Sequence, residues 1–290
     1  MRWASGPAFI RFAMTLAKYA PPFAGSMLAR LMAVIISTFK SQVYWTVYHN
    51  QRHVLGPDAS ISTLRRNTRQ VFFNNFRTLY RLWHTISRDK EAIRHAVHIQ
   101  PDIWDSLAQA RARNQGVIIG GCHTGSFDLS GMALVANGLE ALVLSLGDAP
   151  TGGFDVMDDM RRRVGLELAP ISVKALRQAI QRLRGGGVVI TGIDRPLGNE
   201  KPDVPFFGSP SLLPTGMVRI AMKTKSSIIV TSAYRNADGE SIIHFSPLID
   251  IDPQADLAHN MGHVVTWMEK FIATYPDQWF MFFPVWPDHT

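Results

Sequence analysis

His123 and Asp128 are the two residues of this chain best placed, by type and spacing, to move a proton. They lie in the run Gly116-Val-Ile-Ile-Gly-Gly-Cys-His-Thr-Gly-Ser-Phe-Asp-Leu-Ser-Gly131. An apolar β-branched run enters a glycine turn and then a helix. His123 falls at the strand end and Asp128 in the first helical turn, with Ser126 a candidate N-cap. A helix N-terminus favours an ionised carboxylate, and the sharp turn can fold Asp128 back towards the imidazole. A carboxylate bonded to one imidazole nitrogen fixes the tautomer and leaves the other nitrogen as a base. Such a base deprotonates a hydroxyl with no protein nucleophile, and free helix-terminal amides can hold an oxyanion or a phosphate.

Other chemistry is less well supported. Ser126 is not the serine of a Gly-x-Ser-x-Gly elbow, because residue 128 is Asp. Cys122 precedes His123, but neighbours on a strand point to opposite faces, so Cys122 reads as a core residue. It is the sole cysteine, which excludes a disulfide and a cysteine-built zinc site and suits a reducing cytosol. His259 and His263 have zinc-compatible helical spacing but no evident third ligand, so they read as a surface pair and no metal is expected.

The elements around this segment alternate. Helical periodicity runs over Ser62–Arg88, with Leu64, Val71, Phe72, Phe76, Leu79 and Trp83 on its apolar side and Arg65, Arg66, Arg69, Arg77 and Arg81 as its charges. A second helix spans Pro101–Arg113. Short apolar runs then begin at Val117, Leu142, Val188, Ser227 and Ile242, and helical stretches separate most of them: Ser130–Asn137, Asp155–Arg163, Val173–Arg184 and Pro214–Thr224. This alternation predicts an α/β fold, a mostly parallel central sheet flanked by helices, with its chemistry at the strand C-terminal ends.

The chain has 290 residues, 46% of them hydrophobic and 10% aromatic, and a net charge of +7. A basic balance suits nucleic acid, an anionic membrane or an acidic substrate. Only 18% of residues are charged, which favours a lipid surface, so no nucleic-acid partner is expected despite Arg161-Arg162-Arg163. Residues Phe9 to Phe39 are apolar, split by Pro21-Pro22 and interrupted by Arg11, Lys18 and Arg30. The uncharged run Leu31 to Phe39 is shorter than the ~20 residues of a spanning helix. A signal peptide is not expected either, since no clean apolar region with a small-residue cleavage site follows Met1. The expectation is a membrane-associating segment, residues 1–45, of short amphipathic helices lying in the interface. Packing onto the core is the alternative use of those helices. Residues 46–290 then form one continuous domain.

Three further segments complete a pattern: Gly187-Val-Val-Ile-Thr-Gly-Ile-Asp194-Arg195; Val204-Pro-Phe-Phe-Gly-Ser-Pro-Ser-Leu-Leu-Pro-Thr-Gly-Met-Val-Arg219; and Tyr275-Pro-Asp-Gln-Trp279. Together with His123-x4-Asp128, over residues about 60 to 286, the chain resembles the bacterial lipid A biosynthesis acyltransferases and related membrane glycolipid and phospholipid acyltransferases. The resemblance implies transfer of a fatty-acyl chain from acyl-CoA or acyl-carrier protein to a hydroxyl of a membrane lipid. It implies no covalent acyl-enzyme, no cofactor, and a peripheral or monotopic place on the cytoplasmic face of a bacterial inner membrane. By that resemblance His123 is the general base, Asp128 its orienting partner, and Asp194 and Arg195 line the site. Asp203 is either a second carboxylate near the histidine or a solvated loop acid. Phe207, Gly208, Thr215 and Gly216 shape a substrate pocket, and Arg219 either holds a phosphate or salt-bridges on a helix face. Lipid A enzymes commonly carry Glu, often after Trp, where this chain has Phe127-Asp128. They often carry basic residues where it has Phe283-Pro284-Val285 before Trp286. Both departures favour a phospholipid or glycolipid acceptor, as in mannolipid acyltransferases. A thioesterase and a non-catalytic membrane-binding relative are the rival classes.

Overall fold

The computed structural model of the protein describes residues 14–145, 153–198, 201 and 203–287. Phe9 and Arg11 of the expected N-terminal segment lie outside the described residues. A helical stretch at residues 14–19 is followed by α1 (Pro22–Phe39), α2 (Gln42–Leu55), α3 (Ile61–Ile86) and α4 (Lys90–Arg94). The α/β portion then runs β1 (His98–Ile99), α5 (Asp102–Ala112), β2 (Val117–Gly121), α6 (Phe127–Ala136), β3 (Ala141–Ser145) and α7 (Gly153–Arg163). It continues β4 (Glu167–Pro170), α8 (Val173–Arg184), β5 (Val188–Gly192), β6 (Val204–Phe206), β7 (Ser209–Ser211) and α9 (Gly216–Thr224). It ends with β8 (Ser227–Arg235), β9 (Ser241–Phe245), α10 (Leu257–Thr274) and a 3₁₀ turn at Pro276–Gln278.

Seven strands form one sheet in the order β1-β9-β8-β2-β5-β3-β4, and only the β8–β9 hairpin pairs antiparallel. The expected α/β architecture is therefore present, with β2 at the centre. One face of the sheet presents Ile118, Val189, Ile228 and Val230 to α8, α9 and α10 through Ala179, Leu183, Val218, Ala221, Val264 and Met268. The opposite face presents Val117, Ile119 and Ile229 to α5 and α6 through Ile103, Leu129, Met132 and Ala133. Burial on both faces is why these strands read as continuous apolar runs rather than alternating ones. The β6–β7 hairpin forms a separate two-stranded sheet.

Local sequence sets the helix starts. Ser60, Ser172 and Asp256 accept the N–H groups of Thr63, Ala175 and His259 and so begin α3, α8 and α10. Ser126 precedes α6 but makes no cap bond; its hydroxyl lies 3.0 Å from that of Ser241 instead. Pro22 starts α1, so the break expected at Pro21-Pro22 is there. Beyond it the helix runs for 18 residues, long and apolar enough by length and composition to cross a membrane. One side of α1 packs along α3: Gly25 is so close to Tyr80 that a Cβ would lie 2.5 Å from the ring. The Tyr80 hydroxyl also donates to the Ala20 carbonyl at 2.6 Å. The other side is unpartnered, with Phe23 73%, Met27 70% and Phe39 80% exposed. Ala33 of α1 joins Tyr44, Val47, Val71, Phe72 and Phe280 in a third apolar cluster, which ties this segment to the C-terminal chain.

Candidate functional site

The parallel pairing of β2 and β5 builds the centre of the site. Their register sets Gly121 opposite Gly192, and Ile193 N–H donates to the Gly121 carbonyl at 3.1 Å. Two residues beyond each glycine, His123 and Asp194 must then be neighbours. Asp194 Oδ1 lies 2.6 Å from His123 Nδ1, and Oδ2 accepts the His123 backbone N–H at 2.7 Å. The indole Nε1–H of Trp279 donates to the same Oδ2 at 2.8 Å. The carboxylate is fully buried while 24% of the imidazole side chain stays exposed. An ionised carboxylate only accepts, so Nδ1 carries the proton and Nε2 the free lone pair. Nε2 has no hydrogen-bond partner among the described residues.

The electrostatics of the two partners favour the charged form of each. Burial alone would lower the His123 pKa, but the charge and hydrogen bond of Asp194 overcome it and leave it above 6.5. Burial alone would raise Asp194, yet His123 and the Trp279 and backbone donors hold it below 3.8. Arg195, next along the chain, opposes protonation of the imidazole. Its guanidinium stands 3.8 Å over the Phe283 ring, and its buried Nε has no partner.

Glycines make room for the imidazole. A Cβ on Gly192 would come within 2.8 Å of His123 Cε1. Gly125, at φ +43, lets the turn after His123 run against β8, where a Cβ would sit 2.3 Å from the Ala233 carbonyl. The C-terminal chain then clamps that turn. Gly125 N–H donates to the Gln278 carbonyl and Phe280 N–H to the His123 carbonyl, both at 2.8 Å. The Pro-x-Gln-Trp motif thus supplies both a brace for the turn and a donor for Asp194. In sequence its spacing from His123 gives no hint of that contact.

His123 opens into a cavity of about 2000 Å³. Leu28, Met32 and Ile36 of α1, Phe76 and Leu79 of α3, and Leu144, Leu168 and Met261 are among its largely apolar lining. The described rim also carries Arg161, Arg195, Lys201 and Arg219 with Asp128, Asp203 and Asp256. Such a space suits long hydrocarbon chains that end in an anionic group.

The residues expected from sequence sort as follows. Asp128 sits in the first turn of α6, but its carboxylate forms an ion pair with Arg161 of α7, which also holds Asp158 at 2.9 Å. The carboxylate bonded to His123 is Asp194 rather than Asp128, because the strand ends abut whereas the α6 start faces α7. Asp194 lies behind the imidazole, out of reach of substrate. Arg195, Asp203, Thr215, Gly216 and Arg219 line the cavity. Arg219 Nε donates to Thr215 Oγ1 at 3.3 Å on the α9 face. Phe207 and Gly208 instead make the β6–β7 turn, where Phe207 N–H donates to Glu269 at 2.5 Å. Phe206 is core, stacked on Trp286 at 5.4 Å. Cys122 is buried, as expected, and burial pushes its thiol pKa well up. His259 and His263 approach to 3.3 Å, and no group of three metal-capable side chains occurs among the described residues.

Comparison with known proteins adds the family. A phosphatidylinositol mannoside acyltransferase of Mycobacterium tuberculosis (strain H37Rv) is 26% identical over 185 residues, covering 63% of this chain and 58% of the relative. The enzyme of that name from Mycolicibacterium smegmatis is 23% identical over 192 residues, covering 63% and 60%. The chain thus spans about three fifths of the length of these curated relatives. The sequence profile for bacterial lipid A biosynthesis acyltransferases matches residues 6–287, nearly the whole chain, and brackets the buried His123–Asp194 pair, the cavity and the Gln278–Trp279 clamp. With a match of that extent, the chain belongs to the bacterial lipid A biosynthesis acyltransferase family.

Proposed function

We propose that the protein transfers a long fatty-acyl chain from a thioester, acyl-CoA or acyl-carrier protein, to a hydroxyl of a membrane glycolipid or phospholipid. One observation carries this reading: His123, the histidine in the described lining of a large apolar cavity, keeps Nε2 free while Asp194 holds its other nitrogen. In the proposed step Nε2 takes the proton of the acceptor hydroxyl as its oxygen attacks the thioester carbon. The tetrahedral intermediate then expels the thiolate, which receives the proton from the imidazolium. Among the described residues no serine or cysteine of the cavity is hydrogen-bonded to His123 Nε2, so both substrates are bound together in this scheme. Arg195, with its unpartnered Nε, is offered as the cation that steadies the developing oxyanion. The names of the two mycobacterial relatives and the Phe127-Asp128 motif favour a glycolipid or phosphoglycolipid acceptor. The exposed apolar face of α1 is read as lying in the cytoplasmic leaflet of a bacterial inner membrane, its axis along the surface because its other face is fastened to α3.

Water competes with the acceptor at about 55 M, whereas a well-oriented group reaches effective molarities of about 10⁵ M or more. The apolar walls exclude water, so acylated lipid should form faster than free fatty acid. The test is purified protein with a long-chain acyl-CoA, with and without a lipid extract, tracking both products by mass spectrometry. Thioester consumption that ignores the lipid and ends wholly in fatty acid would make the protein a thioesterase.

A further inference from the structure

Three arginines converge outside the cavity, where acyl transfer does not use them. Arg77 and Arg81 are one turn apart on α3, and Arg235 ends β8. The hairpin register sets Arg235 opposite Ser241, and the Arg81 guanidinium donates to the Ser241 hydroxyl at 2.6 Å and to the Ala96 carbonyl at 2.8 Å. That places Arg81 and Arg235 side by side. Arg235 folds over the hairpin turn and donates from Nε to the Gly239 carbonyl at 2.6 Å. The Arg77 guanidinium lies 5.4 Å from the centre of the Phe73 ring and has no hydrogen-bond partner among the described residues.

All three are partly buried, and their described hydrogen-bond partners are neutral. The nearby carboxylate, Asp277, attracts Arg77 by charge but is hydrogen-bonded by the Asn74 amide at 3.0 Å, so three guanidiniums face one carboxylate. Burial, then the charge of Arg235, lowers the pKa of both Arg77 and Arg81. Crowding half-desolvated like charges is unfavourable unless an anion joins them. Guanidinium forks match phosphate oxygens in particular.

Position argues for whose phosphate it is. Arg30 of α1 stands 6.0 Å from the same Phe73 ring that Arg77 faces, so two cations share one ring across the α1–α3 seam. Arg30 is exposed and follows Phe23 and Met27 on the helix with the bare apolar face. Cations next to an apolar helix face match the layered chemistry of a bilayer, acyl chains beside phosphates. We propose that Arg77, Arg81 and Arg235, with Arg30 at the edge, form a docking site for the phosphate of an anionic membrane lipid, separate from the catalytic cavity. This rests on reading α1 as membrane-facing.

The test is flotation of the full-length protein with phosphatidylcholine vesicles, with or without admixed phosphatidylglycerol. Arg77→Gln, which breaks no internal hydrogen bond, should weaken binding to anionic vesicles about fivefold, and Arg77→Gln with Arg235→Gln about thirtyfold. Binding to neutral vesicles should not change. Arg81 is left in place because its hydrogen bonds anchor β9. Unchanged anionic binding in both variants, or equal loss on both vesicle types, overturns the lipid-phosphate site while leaving the membrane reading intact. A parent protein that floats with neither vesicle overturns both. Binding of free coenzyme A, measured in parallel, distinguishes a soluble phosphate: if it falls in the variants while flotation holds, the lipid assignment is overturned.

Discussion

Replacing Asp194 by Asn isolates what the buried carboxylate does for His123, the proposed base. Oδ2 accepts two N–H groups, from His123 and Trp279, whereas Oδ1 faces only the imidazole. An amide has one oxygen, and it best satisfies the two donors, which turns the NH₂ towards Nδ1. A donor at that place forces the imidazole proton onto Nε2 and converts the base into a donor. The expected loss is about 10²–10⁴ in rate, or about 3–5 kcal/mol in the barrier. The pH profile gives a second signature. The base must be neutral, so the parent's rate should rise with pH through a midpoint above 6.5, where Asp194 holds the histidine. Without that charge, burial and Arg195 outweigh the smaller pull of Asp128 and lower the pKa, and the acid limb of the variant should move below 6.5. Initial rates of thiol release from a long-chain acyl-CoA, measured with lipid acceptor across the histidine range, report both quantities. A variant with nearly the parent rate, or with an unmoved acid limb, would refute Asp194 as the positioning residue.

Two more outcomes follow from the same geometry. Gly192→Ala adds a methyl 2.8 Å from His123 Cε1 and should tilt the ring off Asp194; activity is expected to fall about tenfold or more with a melting temperature close to the parent's, and unchanged kinetics would show that the ring has slack. Asp128→Asn and Arg161→Gln should be coupled, because each leaves its partly buried partner without its main charge; a double-mutant cycle of thermal stability is expected to give about 0.5–3 kcal/mol of interaction, and strict additivity would show the ion pair to be idle.

The fold was legible because both sheet faces are buried. Val117-Ile118-Ile119 and Val188-Val189-Ile190 read as apolar runs, and the helices between them fix parallel pairing. The β4 strand was not legible, since Glu167-Leu-Ala-Pro170 lies at the sheet edge and carries no apolar run. The β6–β7 hairpin escaped notice because each strand holds a proline, at residues 205 and 210. Phe207 and Gly208 therefore read as pocket residues although they form the turn of that hairpin.

The partner of His123 was recoverable from spacing alone, had strand ends been compared rather than neighbours along one segment. Gly121-Cys122-His123 and Gly192-Ile193-Asp194 share one offset: strand-ending glycine, buried apolar residue, then a titratable side chain. In adjacent parallel strands with aligned glycines, equal offsets place equal positions side by side, and the alternation of faces that buries Cys122 and Ile193 in the same core cluster turns both polar groups the other way. The reading that chose Asp128 weighed proximity in sequence, but that carboxylate turns to Arg161 of α7 and acts on the imidazole only through its charge. What sequence could not supply was the third contact. Trp279 is 85 residues from Asp194 along the chain, and its donor arrives only because the C-terminal chain runs back across the ends of β2 and β8. That return path closes the site: the strand that places Asp194 beside His123 and the indole that adds to His123 in favouring its ionised form come from segments with no local reason to meet.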